Sequence, residues 1–383
     1  MDVIPNTSDY LRGSAGIHRS LGNLLLTTKR LDDAEQAYRK SVTQLEKLVG
    51  EFPKVPAYRE ELSNSRNNLA AVLRATNRIP EAIKIQRQAV GVQKILADDF
   101  PDIPQYQRTL IACYMNLGIY LKASGERAQA EEAYRSAAEV ATKLVGRFET
   151  VPEYQHQLAL SHLNLGNLLR ETNRFAEAEK VYDKAESTQR GLVEKYPKVP
   201  EYRGHLSKMY VVVGHLRMNT GRQRDALKAY RDSLEMDPKN LEAKNALCWV
   251  LATGADRELR DSREAVALAK ELVAQAKDNP EYWTSLGIAQ YRAGDWKASL
   301  SALEASEQLS KPGDGPLWFF MAMNHARLGN AGEARKCYDR AVSWMDANQP
   351  KEESLTRFRD EAASLLNISA QPKPTGGDPD SSI

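Results

Sequence analysis

The chain has 383 residues, with 53 Lys and Arg against 51 Asp and Glu, so its formal net charge is only +2. That balance argues against a protein built around duplex nucleic acid, which shows a clear basic excess, and the length admits two or three ordinary domains or one long array. Cys113, Cys248 and Cys337 stand far apart, without a CxxC pair or Cys/His cluster, so neither a disulfide framework nor a zinc site is expected.

At the N-terminus, MDVIPNTSDY carries neither the basic leader nor the apolar core of a signal peptide. No apolar run anywhere approaches the roughly 20 residues of a membrane helix. A cytoplasmic location without a membrane partner is the expectation. A period then becomes visible. Tyr10, Tyr58, Tyr106, Tyr154 and Tyr202 stand 48 residues apart, and so do Ala34, Ala82, Ala130, Ala178 and Ala226. The connectors read FPKVPAY at Phe52, FPDIPQY at Phe100, FETVPEY at Phe148 and YPKVPEY at Tyr196. Self-similarity at a fixed period is the signature of a repeat architecture.

Each unit divides into two helical halves. After the Pro-x-Tyr connector, Leu158, Leu165, Leu168 and Leu169 recur at the three- and four-residue steps of one apolar helical face. Lys29, Asn77, Gly125, Asn173 and Gly221 share the position after this helix, where a left-handed residue would end it. The second helix is predicted from about Ala176 to Lys195, and Pro80 sits in the first turn of its counterpart. Gly22, Ala70, Gly118, Gly166 and Gly214 form a small column on the first helix, and Ser41, Ala89, Ala137, Ala185 and Ser233 another on the second. Tyr38, Tyr134, Tyr182 and Tyr230 supply the bulk that fills the neighbouring gaps.

The spacing of Leu165-Gly166, Asn173, Ala178, Tyr182 and Ala185 resembles the tetratricopeptide repeat, whose usual unit is about 34 residues. The excess of about 14 falls where the second helix continues into the connector. The array is similar to regions that follow serine/threonine kinase domains in large bacterial proteins. The resemblance implies an all-α, right-handed superhelical solenoid of antiparallel helix pairs, its first helices lining a concave groove for peptides or partner proteins. On this reading residues 1–238 are five long repeats.

Beyond Met236-Asp237-Pro238 the period shortens. Trp283 and Trp318 stand 35 apart, as do Gly294 and Gly329. Residues 239–347 therefore read as about three shorter or irregular repeats, with Ser262 as the expected N-cap of one helix. Residues 348–367 suit a capping helix over the last apolar face, and 368–383 a disordered tail. Trp318-Phe319-Phe320-Met321 suggests either a docking patch or core, and its register with Trp283 favours core.

No phosphate-cradling glycine loop, His-Arg-Asp tripeptide or HExxH pair is present, so no enzymatic activity, cofactor or metal is expected. His18 and His162 share one repeat position and suit half-buried packing. Arg74, Lys122 and Arg170 form a basic column near the ends of successive first helices, suited to an acidic peptide or to solvation at the helix end. Arg19 and Asn23, with Asn68 in the next copy, resemble the first part of a carboxylate clamp, although Ala112 and Asn116 break its continuation. The candidate contacts of a non-enzymatic scaffold are thus Arg19, Asn23, Asn68, Arg74, Lys122, Asn167, Arg170 and Glu171. Two alternatives stand beside it: the regulatory portion of a split signalling kinase, and a self-association module acting through the first repeat. That repeat starts with Ile4 aligned on the connector Phe52 and no cap before it.

Overall fold

The computed structural model describes residues 7–310, 315–350 and 352–368; Ile4 and the expected tail beyond Ile368 lie outside them. Seventeen α-helices, one short 3-10 turn and no strand occur among the described residues. They form two compact units, Met1–Met209 and Tyr210–Ile383. The first holds four antiparallel pairs: α1 (Thr7–Thr27) with α2 (Leu31–Glu51), α3 (Pro56–Ala75) with α4 (Ile79–Asp99), α5 (Pro104–Ala123) with α6 (Arg127–Arg147), and α7 (Pro152–Glu171) with α8 (Phe175–Lys195). The helix α9 (Pro200–Asn219) spans the division.

The second unit continues with α10 (Gln223–Met236), α11 (Leu241–Thr253), α12 (Ser262–Gln275), α13 (Pro280–Arg292), α14 (Trp296–Leu309), α15 (Gly315–Arg327), α16 (Ala331–Asn348) and α17 (Glu353–Leu365). The division does not coincide with the change of period at 238. Val211, Ala226 and Tyr230 share one buried cluster with Leu247, Phe320 and Phe358, so the last long repeat packs with the short ones.

Every first helix of the long repeats ends in the same hydrogen-bonded turn. Asn173 has φ 60°, its N–H donates to the Arg170 carbonyl, and the Arg174 N–H donates back to Leu169. This is a Schellman motif, and it satisfies carbonyls that a helix end leaves without partners. Lys29, Asn77, Gly125 and Gly221 adopt positive φ at the equivalent positions. In the second unit α13 and α15 end in the same turn at Gly294 and Gly329, and side chains also start four of the helices: Asn240, Asp261, Asn279 and Asp295 each accept a backbone N–H of the first turn. The cap of α12 is therefore Asp261, which accepts from Glu264, and Ser262 is already its first helical residue. The carboxylate one residue earlier has the extended backbone that a cap requires.

The packing columns meet inside each pair. A Cβ added to Gly22 would lie 2.6 Å from the Tyr38 ring, and one added to Gly166 2.5 Å from the Tyr182 ring. Gly118 and Gly214 face Tyr134 and Tyr230 in the same way. In the second copy the small residue is Ala70, and the buried side chain in the tyrosine column is Gln86. Trp318, Phe319, Phe320 and Met321 are all buried, so that cluster is core.

Only half of the extra residues of the long repeat lie where the sequence suggests, at the end of the second helix. The first helices α3, α5 and α7 have 20 residues against 13 in α13, and the second helices α4, α6 and α8 have 21 against 14 in α14. Half of the excess thus ends one second helix, and half begins the next first helix beyond the connector. The two halves come and go together, since α10 and the α11 that follows it are both short, with 14 and 13 residues. Two antiparallel neighbours must lengthen together, or the longer one projects an apolar face into water.

Tyr182 is 2 % exposed and cannot swing aside, so Gly166→Ala should destabilise by about 1–3 kcal/mol through overpacking. That outweighs the helix propensity gain of about 1 kcal/mol. Adding Tyr182→Gln, the pairing that Ala70 and Gln86 already use, should recover part of the loss in a double-mutant cycle of urea melts. Strict additivity would show that the ring is not what the methyl group meets.

Candidate functional site

All eight residues singled out from the sequence lie on first helices of the first unit. Asn23, on α1, accepts two hydrogen bonds on Oδ1, from the Tyr38 phenol at 2.7 Å and from the Asn68 amide of α3 at 3.1 Å. Arg74 is exposed, with its guanidinium 6.0 Å from the centre of the Tyr120 ring on α5. Lys122 donates to Glu171 of α7 at 2.7 Å. Arg170 is half-buried beside the Tyr182 phenol, and its Nε has no hydrogen-bond partner. Arg19 is half-buried on α1, without an ion pair or hydrogen bond among the described residues.

Two of these residues are less free than their sequence suggested. Asn167 accepts the Tyr182 phenol at 2.7 Å, so a packing column fixes its orientation. Burial pushes that phenol up to about 12, which keeps it a donor at any ordinary pH. Glu171 already serves as counter-ion to Lys122. The basic column is therefore part-neutralised, while Arg74 and Arg170 form no ion pair among the described residues.

The structure adds residues that sequence reasoning passed over. Asn116 of α5 donates to Asn67 of α3 at 2.9 Å, so successive first helices are joined by amide pairs at two junctions and by an ion pair at the third. The signal was present, because Asn68, Asn116 and Asn164 stand 48 apart. His156, Glu201 and His205 also converge, each offering a ligand atom, with these atoms within 4.8 Å of one another. A search for motifs along one helix misses them, since the two histidines come from different repeats. His162 is half-buried, and burial followed by nearby Lys184 lowers its pKa, which suits a packing role.

In the second unit the equivalent face is covered by the chain itself. Phe358 of α17 packs edge-on against Trp249 of α11 and Phe320 of α15, with ring centres 6.2 and 5.0 Å apart. Arg357 donates to the Thr253 carbonyl of α11, and Glu361 accepts both terminal nitrogens of Arg292 on α13. The helix expected to cap the end thus reaches back across three first helices. In the first unit, α1, α3, α5 and α7 pack on one another and on the second helices of their own and the preceding repeat, and among the described residues no further helix of the unit packs on them.

Models of the tetratricopeptide repeat match residues 62–102, 110–149, 161–194, 207–240, 255–314 and 315–346. Comparison with curated protein sequences finds no match. Among solved structures, the chain is similar to BtubC from P. vanneervenii, at 16% identity over 73% of this chain and 90% of that one, with a TM-score of 0.44. A tetratricopeptide repeat protein from Parabacteroides merdae is 13% identical over 80% of this chain and 98% of its own, with a TM-score of 0.44. The pilF protein of Pseudomonas aeruginosa is 11% identical over 67% and 99%, with a TM-score of 0.45.

Asn167→Ala should destabilise the chain by about 0.5–1.5 kcal/mol, because it leaves the Tyr182 phenol without its acceptor. A contact reserved for a partner would leave the melting temperature unchanged, so a thermal melt of the variant separates the two roles.

Proposed function

The chain belongs to the tetratricopeptide repeat family, a family of protein-interaction scaffolds, and from that premise we propose that its first unit binds an acidic stretch of a partner protein or peptide. The surface is the face of α1, α3, α5 and α7, and the protein acts there by binding and not by catalysis. One observation carries this reading. Among the described residues, the first-helix face of the first unit presents amides and cations that no added helix of the unit covers, whereas α17 fills the corresponding face of the second unit.

The mechanism is a preformed surface. Amide pairs and the Lys122–Glu171 bridge hold neighbouring helices in register, so little ordering remains to be done when a ligand docks. Arg74 and Arg170 supply charge for carboxylates, and Arg19, Asn23, Asn68 and Asn167 supply hydrogen-bonding groups along the same face. Glu171 occupies Lys122 much as a ligand carboxylate would. A docking acidic residue exchanges one ion pair for another, which favours specificity and release over raw affinity.

The test is fluorescence anisotropy of a labelled glutamate-rich peptide with the full chain at low salt. Saturable binding is expected, weakened about tenfold (about 1.4 kcal/mol) by Arg74→Glu or Arg170→Glu. Glu171→Gln should strengthen binding by releasing Lys122. Binding that ignores all three substitutions would reject the face.

A second reading is favoured by α1. Tyr10, Ile17, Leu21 and Leu24 are 68, 70, 44 and 61 % exposed, and they form one stripe along the helix. Their counterparts one repeat on, Tyr58, Ser65, Leu69 and Val72, are all buried against the preceding helix pair. A second copy of the chain is a fitting cover, giving self-association through the first repeat. Light scattering should then show Ile17→Glu with Leu24→Glu converting a dimer to a monomer. An unchanged mass in both proteins would rule it out.

A further inference from the structure

We infer that His156, His205 and Glu201 form a site for a divalent transition ion such as Zn2+, one that staples the fourth long repeat to the fifth. The site lies in the turns that distinguish the long repeat from the short one. His156 belongs to the added start of α7, Glu201 and His205 to the added start of α9, and Gln189 to the added end of α8.

The other repeat junctions show what these positions do when they hold different residues. Arg12 pairs with Glu61 at the first junction, in the columns of His156 and His205. Arg108 pairs with Glu153 at the third, in the columns of His156 and Glu201. At the fourth junction the arginine of both pairs becomes His156, and its two partner positions hold His205 and Glu201, so an ion pair gives way to two imidazoles and a carboxylate. Two imidazoles, one carboxylate and a water make a four-coordinate Zn2+ site.

The proton on His156 can be placed. Gln189 donates through Nε2 to the Tyr202 carbonyl at 3.0 Å, and a carbonyl can only accept. Its Oε1 therefore faces His156 Nδ1, 3.0 Å away, and must accept a proton from it. The neutral ring is left with its lone pair on Nε2, the nitrogen free for a metal. A hydrogen bond of this kind to the far nitrogen is what orients metal-binding histidines in general. The second repeat offers a comparison inside the same chain. Gln93 donates to the Tyr106 carbonyl in the same way, but Glu60 stands where His156 would be, and Gln93 Oε1 is buried without a partner.

His156 is 4 % exposed and held, while the side chains of His205 and Glu201 are 26 % and 68 % exposed and able to move. The imidazole rings lie 4.5 Å apart, edge to face. Ligand atoms sharing one tetrahedral ion stand about 3.3 Å apart at ordinary zinc bond lengths, so two mobile ligands need only close on a fixed one.

The test uses the full chain, stripped with a chelator and titrated with Co2+ and then with Zn2+. One equivalent of Co2+ should give the visible absorption of a four-coordinate ion, Zn2+ should displace it, and the metal should raise Tm. His205→Gln should abolish the band. Glu201→Gln should weaken binding. Gln189→Leu should lower affinity about 10–100-fold, as loss of an orienting partner does. His205 and Glu201 are accessible enough for their variants to fold, which circular dichroism would verify. A native chain that takes up no Co2+, or a folded His205→Gln chain that binds it as tightly as the native one, would overturn the site.

Discussion

Within four of the five long repeats the two helices approach so closely that a tyrosine ring occupies the space where a β-carbon would stand. Gly22, Gly118, Gly166 and Gly214 face Tyr38, Tyr134, Tyr182 and Tyr230, and that contact sets more than the crossing of the helices. The ring reaches far enough across for the phenols of Tyr38 and Tyr182 to meet Asn23 and Asn167 on the first-helix face. Where Ala70 replaces glycine, Gln86 replaces tyrosine, and its amide donates to Asn67, which in turn accepts from Asn116 of the next repeat. Core and surface are therefore one system. The column that packs each pair also aims the amides available to a partner.

Much of the fold was legible because a solenoid repeats its constraints. The left-handed column from Lys29 to Gly221, the small residues opposite tyrosine and the short period around Trp283 and Trp318 all follow from local backbone and packing rules. The less legible features depend on partners distant in the chain. Periodicity locates an apolar face without showing which turns are additional, so the fourteen extra residues read as an extension of the second helix alone, whereas half of them precede Leu158 and Leu206 in the first helices. Asn167 and Glu171 looked free because their partners, Tyr182 and Lys122, are 15 and 49 residues away. His156 and His205 are likewise separated by a whole repeat, so no local motif could join them.

The two units treat the same face differently, and composition explains the contrast. In the second, Trp249, Tyr291 and Phe320 give the first helices an aromatic surface, and α17 brings Leu355, Phe358 and Ala362 to bury it. Arg292 then stacks on Tyr291 and Phe320 while its terminal nitrogens hold Glu361, so the charge at the edge of this surface is paired. In the first unit most of the corresponding positions are amides and cations, such as Asn68, Asn167, Arg74 and Arg170, which lose little by facing water. An apolar face must be covered by something, whereas a polar face can be left open for use. That difference follows from side-chain chemistry before any partner is considered.

The added turns also constrain how such a chain can change in length. Seven residues are close to two helical turns, so inserting them rotates the downstream side chains by only about 20°. An insertion of three or four residues would turn the apolar stripe by about 60° or 40°, and one of five by about 140°, away from its neighbour. A seven-residue insertion on one side of the connector alone would leave an unmatched overhang. Viable repeat lengths are therefore spaced by paired steps. The record of past insertions and deletions in this array should be discrete: fourteen residues gained or lost together, centred on a connector, with single-residue gaps confined to the loops.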